Sequence, residues 1–441
     1  MRAGDLAAAR VAIWGLGREG RAAIRFLRVR HPTLPLWLLD DAKTPSPHEF
    51  DNIDYAIGPQ AILGALDHID VLVKSPGVSL YRREIAIARE NGVAVTSLLN
   101  LWFGEGSAIT TICVTGTKGK STTASLVAHI LGRLGRRVAL AGNIGVPVTE
   151  IDPAKTDYAV IEVSSYQAAD FDGVCDIAVL TSLFPEHLDW HGTLDAYYRD
   201  KLNLLRRSRC AVANHQARPA LTLADTFFND EVGLHPSGGE IFDGQARIGA
   251  VRNPYLARPH NLSNVCAALT VAKTLGLGLG EALDATADFR ALPHRQQEIG
   301  KIDGVLYVDD SISTAPESTI AALEVYAGRD ITLILGGFDR GIEYDGLVAK
   351  LGGGAAQAVL CLGASGERIY AALRAVAGHP KTELSHSMEA AVSRARQMTP
   401  KGGVALLSPA APSYGYYRDF AERGRDFAVK AGLTAGDRDE G

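Results

Sequence analysis

The run Thr115-Gly116-Thr117-Lys118-Gly119-Lys120-Ser121-Thr122-Thr123 holds the residue types that grip a nucleoside triphosphate. Gly116 and Gly119, with Thr117 and Lys118 between them, let backbone N–H groups turn inward on phosphate oxygens. Lys120 supplies a point charge for the outer phosphates, and the hydroxyl of Ser121 or Thr122 can hold Mg2+. Where the longer phosphate-loop pattern begins with glycine, this chain has Val114, so the loop is the shorter Gly116-x-x-Gly119-Lys120-Ser121. Farther along, Glu162 follows the apolar run Tyr158 to Ile161, and its carboxylate suits Mg2+ better than it suits a core. His187 reads either as a ligand for a further metal or as a capping residue.

A second glycine cluster lies near the start. Gly15, Gly17 and Gly20 form G-x-G-x-x-G after the apolar run Val11 to Trp14, and Asp40 or Asp41 closes the next run. The pattern is the dinucleotide fingerprint and proposes a dehydrogenase using NAD. Its geometry serves any pyrophosphate at a helix N-terminus, so a nucleotide-sugar fits equally. Ser75 and Gly77, in Lys74-Ser75-Pro76-Gly77-Val78, follow the strand-like Val71 to Val73 and would reach a ligand of the same sheet.

These loops need parallel sheets to hold them. Strand-to-glycine-to-helix openings occur at 11–20, 111–121 and 331–341, each followed by alternating apolar runs and helical patterns. That alternation predicts an α/β chain of three domains: a Rossmann-like N-terminal domain (1–107), a central parallel sheet of the phosphate-loop ATPase type (108–293) and a Rossmann-like C-terminal domain (294–441). Polar stretches at 142–145, 162–167, 184–189 and 198–201 fall where central strands should end, on the rim that carries the phosphate loop. They contain Asn143, Ser164 and Lys201. The less regular 215–256 reads as a small antiparallel insertion.

Composition narrows the class. With 22 % charged residues, 46 % hydrophobic residues and a net charge of −5, the chain has no basic excess to attract nucleic acid. Cys113, Cys175, Cys210, Cys266 and Cys361 are scattered, which suggests neither a disulfide framework nor a zinc site. No signal core or membrane-length apolar run is present in the sequence, so a cytoplasmic protein without membrane or nucleic-acid partners is expected, and a monomer.

Taken in order and spacing, 115–123, 142–145, 162–167, 185–192 and 198–201 resemble the Mur ligases of peptidoglycan synthesis. Ser75-Pro76-Gly77, Leu292-Pro293-His294-Arg295, Asp310-Ser311 with Thr314, 336–341 and 407–411 extend the resemblance over nearly the whole chain. Within that family the chain is similar to the ligases that add glutamate to UDP-N-acetylmuramoyl-L-alanine. The resemblance implies that ATP phosphorylates the substrate carboxylate and that an amine attacks the acyl phosphate. It implies that Ser121 and Glu162 hold one Mg2+, that Glu162 and His187 hold a second, and that Lys201 is carbamylated. It places Asn143 and Ser164 at the acyl-bearing substrate, Asn261 and Asn264 at adenine, and Arg295 and Asp310 where the third domain meets ATP. UDP rather than NAD would occupy Gly15, Gly17, Gly20, Asp40, Ser75 and Gly77, and the amino acid would meet Thr314, Arg340, Ser408 and the aromatic stretch 414–420.

Several positions depart from the D-glutamate pattern. Ile312 stands in Asp310-Ser311-Ile312-Ser313-Thr314 where a lysine is usual, and 97–102 and 412–420 also differ. They resemble a branch that adds L-glutamate, with D-glutamate as the alternative. A dehydrogenase would leave the phosphate loop idle, a simple ATPase or kinase gives no reason for a nucleotide-type first domain, and a non-catalytic nucleotide sensor would bind ATP without forming an amide. A folylpolyglutamate synthetase shares the central pattern but usually lacks such a first domain.

Overall fold

A computed structural model describes residues 1–41, 52–186, 188–290, 292–339, 341–376 and 378–433, leaving aside the side chains of Leu188, Asp189, His260 and Glu317. The chain divides into two compact units, Met1–Arg290 and Ala291–Gly441.

The first unit contains two sheets. In one, five parallel strands run in the order Ile53–Ile57, Leu36–Asp40, Val11–Trp14, Val71–Lys74, Ala94–Thr96. Residues alternate between two cores: Val11, Ile13, Leu36, Leu38, Val71 and Val73 face one side, while Ala12, Trp14, Leu39 and Leu72 face the other. Cover on both faces is why these strands read as unbroken apolar runs. The order is that of a mononucleotide-binding half, with its topological switch beside Val11–Trp14, where the glycine loop emerges. Helix Arg18–Arg30 follows that loop and packs Ala22, Ala23, Phe26 and Leu27 inward.

The other sheet has nine strands. Thr110–Thr115 lies between Tyr158–Glu162 and Cys175–Leu180, with Val138–Gly142 at one edge. On the opposite side Ser208–Asn214, Thr226–Phe228 and Leu234–Ser237 continue the parallel order. Glu240–Asp243 and Ala246–Ala250 then fold back antiparallel. The expectation of an insertion at 215–256 is corrected: the segment extends the sheet, and only its end is antiparallel. Gly238 and Gly239, at φ 58° and 81°, make the two-residue turn that reverses the chain.

The second unit has a six-stranded sheet ordered Gln297–Ile302, Val305–Asp309, Val404–Leu407, Ile331–Gly336, Ala358–Leu362, Lys381–Ser385. The first pair is antiparallel and the rest are parallel. Among the described residues no helix is long and apolar enough to cross a membrane.

Candidate active site

The phosphate loop joins Thr110–Thr115 to the helix Lys120–Arg133. Gly116 has φ 148°, and a Cβ there would lie 2.0 Å from Thr181 Oγ1; at Gly119, with φ 87°, it would lie 2.5 Å from Asn264 Oδ1. Only glycine fits either place. The segment after Cys175–Leu180 pins the loop from below: Thr117 N–H donates to Ser182 O at 2.9 Å, Lys118 N–H to Ser182 Oγ at 2.8 Å, and Thr181 Oγ1 to Lys118 O at 2.6 Å. Lys120 Nζ reaches back to Thr117 O at 3.0 Å, and Lys118 pairs with Glu186 at 2.7 Å. Ser121 and Thr122 are buried in the first helical turn.

Beside this loop lies a cavity of about 150 Å3 lined by Lys120, Asn143, Ser164, Ser165, Tyr166, Glu186 and Lys201. Glu162, the last strand residue, is 1 % exposed; Asn143 Nδ2 donates to its Oε1 at 2.7 Å. The other oxygen, Oε2, is buried with no hydrogen-bond partner, and so is the Thr115 hydroxyl. A carboxylate oxygen left in that state costs free energy unless a cation or donor meets it. The residues therefore fit Mg2+, which commonly takes one or two carboxylates and completes its shell with water and phosphate oxygens. No cluster of three or more His, Cys, Asp or Glu side chains able to hold a metal is found among the described residues. His187 lies outside them.

Lys201 is fully enclosed on the helix Leu194–Arg206 and donates from Nζ to Gly116 O at 2.8 Å. Burial drives its amine well below the ordinary lysine range, and Lys120 adds to the effect against the pull of Glu186 and Glu162. Ser164 caps the helix Ser165–Ala169 through a reciprocal box with Gln167. Asn264 sits behind the phosphate loop, accepting from Thr123 Oγ1 at 3.2 Å and donating to Asn261 at 3.0 Å, while Asn261 donates to Tyr255 O at 2.9 Å. Both amides are thus occupied in bracing the loop and its neighbouring helix. On the phosphate-loop helix, Ser125 and His129 open on a second cavity, about 450 Å3, closed by Asp288, Phe289 and Arg290.

The first glycine loop is built differently. A Cβ on Gly20 would lie 1.9 Å from Gly15 O, and one on Gly15, at φ 101°, would lie 2.9 Å from the Ser75 side chain; at Gly17 nothing comes within 4 Å. Ser75 Oγ donates to Gly15 O at 3.0 Å, and Leu16 N–H donates to Asp40 at 2.9 Å. Gly15, Gly17, Gly20, Asp40 and Ser75 are brought to one place, with Gly77 beyond them on an open turn. This sheet is tied to the central one. Arg18 donates to Gly142 O at 2.5 Å, and Lys74 pairs with Asp170 at 3.1 Å, the two side chains 0 % and 8 % exposed.

In the second unit, Asp310 is buried and accepts from Ser313 at 2.6 Å, Ser408 at 2.7 Å and Gln296 N–H at 3.1 Å. Burial raises its carboxyl to about 6 despite those bonds and the nearby Arg295. Ser408 has no exposure at all, so its hydroxyl serves Asp310 and Thr319 rather than an open surface. Thr314 is half-buried on the loop after Asp310. Arg340 lies outside the described residues. Arg423, which sequence reasoning missed, is buried with its guanidinium on Ser311 and Ala411 O, and desolvation lowers it to about 10.

A switch-point sheet with a glycine loop, joined to a phosphate-loop sheet whose rim carries buried lysine and glutamate, defines a nucleotide-using enzyme. Residues 114–272 match the Mur ligase middle domain and residues 294–411 the Mur ligase glutamate ligase domain. A UDP-N-acetylmuramoyl-L-alanine--L-glutamate ligase of Xanthomonas euvesicatoria is 41 % identical, covering 98 % of this chain and 97 % of that one. A Micromonospora relative of the same name is 39 % identical over 99 % of both. The chain belongs to the Mur ligase family. Its fold matches the UDP-N-acetylmuramate-alanine ligase of Thermotoga maritima with a TM-score of 0.62 at 18 % identity, covering 96 % of this chain and 99 % of that one.

Proposed function

We propose that the chain joins L-glutamate to the alanyl carboxylate of UDP-N-acetylmuramoyl-L-alanine, using ATP and releasing ADP and phosphate through an acyl phosphate. The observation that supports this reading is the cavity beside the phosphate loop, which Lys120, Asn143, Ser164 and Lys201 line together. Phosphoryl transfer to a carboxylate brings two anions together, and Lys120 offsets that repulsion while the loop amides orient the phosphates. Ser121 and Glu162 would hold Mg2+, with His187 at a second ion; when bound, the cation supplies charge neutralisation for the transferring group. Asn143, fixed on Glu162, orients the acyl end.

Lys201 is read as a carbamate. Only an unprotonated amine attacks CO2, and burial shifts Lys201 toward that form. Its conversion to an anion would also set a negative charge beside Lys118 and Lys120.

In this reading 1–107 receives UDP at Gly15, Gly17, Gly20, Asp40, Ser75 and Gly77. Residues 108–293 receive ATP, with Asn261 and Asn264 supporting the adenine side, and 294–441 receive glutamate through Thr314 and Arg340, with buried Ser408 bracing Asp310 and with Arg295 and Asp310 assigned to ATP. The enzyme acts as a cytoplasmic monomer. The preference for the L-isomer rests on the similarly named relatives and on Ile312. The test is ADP release with UDP-N-acetylmuramoyl-L-alanine and each enantiomer of glutamate. Faster turnover with L-glutamate is expected, and faster turnover with D-glutamate ends the L-specific reading.

A further inference from the structure

Four side chains with no role assigned above form a single hydrogen-bonded chain from the cavity to the surface. Ser165, 3 % exposed, lines the cavity. Its Oγ lies 3.0 Å from His191 Nε2, and His191 Nδ1 lies 2.7 Å from Asp200 Oδ2. The Tyr81 hydroxyl donates to both Asp200 oxygens, at 3.0 and 2.8 Å, and Tyr81 is 47 % exposed. The four residues come from four separate segments, one of them in the first sheet's domain.

The bonding order fixes the direction of the chain. An ionised Asp200 only accepts, so His191 carries its proton on Nδ1 and presents Nε2 as an acceptor to the Ser165 O–H. This is the carboxylate–imidazole–hydroxyl arrangement that lets a hydroxyl hand on a proton. Tyr166 stacks on Trp190, with ring centroids 4.7 Å apart, and Tyr197 meets the His191 ring edge-on at 5.2 Å, which closes the imidazole from water. Besides Asp200, the ionisable groups around His191 are Tyr81, Tyr166, Tyr197 and Arg199, with Lys74 on Trp190. A buried His–Asp pair can serve only to brace a fold. Here one end opens on the reaction cavity and the other on solvent, which bracing does not require.

Amide formation has a proton to dispose of. When an ammonium and an acyl phosphate dianion give an amide, the C–N bond forms and the C–O bond to phosphate breaks with its electrons on the phosphate. Of the three N–H protons one stays on the amide, one ends on the released HPO42−, and one is left over. We propose that Ser165 accepts this proton from the attacking amine as its own passes to His191 Nε2. Asp200, itself held by the Tyr81 hydroxyl, stabilises the imidazolium until the proton returns through Ser165 to solvent once product has left the cavity. His191 and Asp200 act through Ser165 and are positioning residues; Ser165 alone meets the substrate. The inference rests on the acyl-phosphate reading given above.

The test separates the amine step from the phosphoryl step. Full-length enzyme is given ATP, Mg2+ and UDP-N-acetylmuramoyl-L-alanine with either glutamate or hydroxylamine, a nucleophile already unprotonated at neutral pH that needs no base. In His191→Gln, glutamate turnover should fall ~10²-fold or more, with its optimum moved to alkaline pH. Hydroxamate formation should stay within about threefold of the wild type. Asp200→Asn and Ser165→Ala should show the same split, and Asp200→Asn, which keeps the side chain's size, carries the test if His191→Gln does not fold. Equal loss of both reactions, or loss of neither, overturns the relay. Absence of hydroxamate in the wild type instead overturns the acyl-phosphate reading on which the relay depends.

Discussion

Two glycine loops open two sheets in this molecule by the same device, a parallel strand running through glycines into a helix, yet they are chemically opposite. In the loop at 15–20 Gly20 packs against the loop's own Gly15 O and Gly15 against the Ser75 side chain, with Asp40 occupied by the Leu16 amide. No lysine stands within it. In the loop at 116–119 the glycines pack against polar side chains of other segments, Thr181 and Asn264, and three lysines gather around it. The shared topology provides a helix N-terminus for an anion; the side chains decide how much charge that anion carries.

The comparison can be broken most severely at Lys120. Lys120→Ala should lower glutamate-dependent ADP release ~10³-fold or more, because on the proposed reading it removes the cation that acts on the transferring phosphoryl oxygens. The same change at Arg18, within the first loop, should leave kcat within about tenfold, because on the proposed reading that loop binds substrate and takes no part in phosphoryl transfer. Next in size is Lys201→Ala, for which a loss of ~10²-fold is expected with partial recovery on adding a short carboxylic acid. Undiminished activity without the acid would remove the carbamate from the mechanism.

The first loop is sharpened by a pair of alanines. Gly20→Ala forces a Cβ against a carbonyl and should destabilise the fold by about 2–3 kcal/mol in urea unfolding. Gly17→Ala meets nothing and should shift stability by no more than about 0.5 kcal/mol. It should still raise KM for the UDP substrate if that backbone faces the pyrophosphate. An unchanged KM would place the ligand elsewhere.

The smallest effect is a trend with pH. Folding depresses the Lys201 amine, so below the unfolded lysine range the unfolded chain binds the extra proton and stability rises with pH. Lys201→Met should therefore be more stable than the parent near neutral pH in CO2-free buffer. The gap should close as pH rises toward the model-peptide value near 10.4, as followed by thermal melts.

Much of this was legible in the sequence because it is local. Strand-to-glycine-to-helix openings announce themselves within ten residues, and Glu162 stood out as a carboxylate after an apolar run. What escaped was assembled from distance. Ser165, His191, Asp200 and Tyr81 share no spacing signal, and the strands Ile53–Ile57 and Lys381–Ser385 carry too few consecutive apolar residues to stand out from their surroundings. Asn264 and Ser408 were visible as polar residues in promising motifs, but their bonds to Thr123 and Asp310 are set by packing, which puts them behind their loops.

The ion pair between Lys74 and Asp170 bears on how such a chain can be recombined. It joins the end of a first-sheet strand to the central sheet's helix region without exposure, and burial still holds Asp170 above the usual carboxylate range. A chimera that takes 1–107 from a relative lacking this lysine would strand Asp170, and the reciprocal graft would strand the lysine. Breaking a buried pair in that way costs about 3–5 kcal/mol, so the two residues must travel together in any domain exchange.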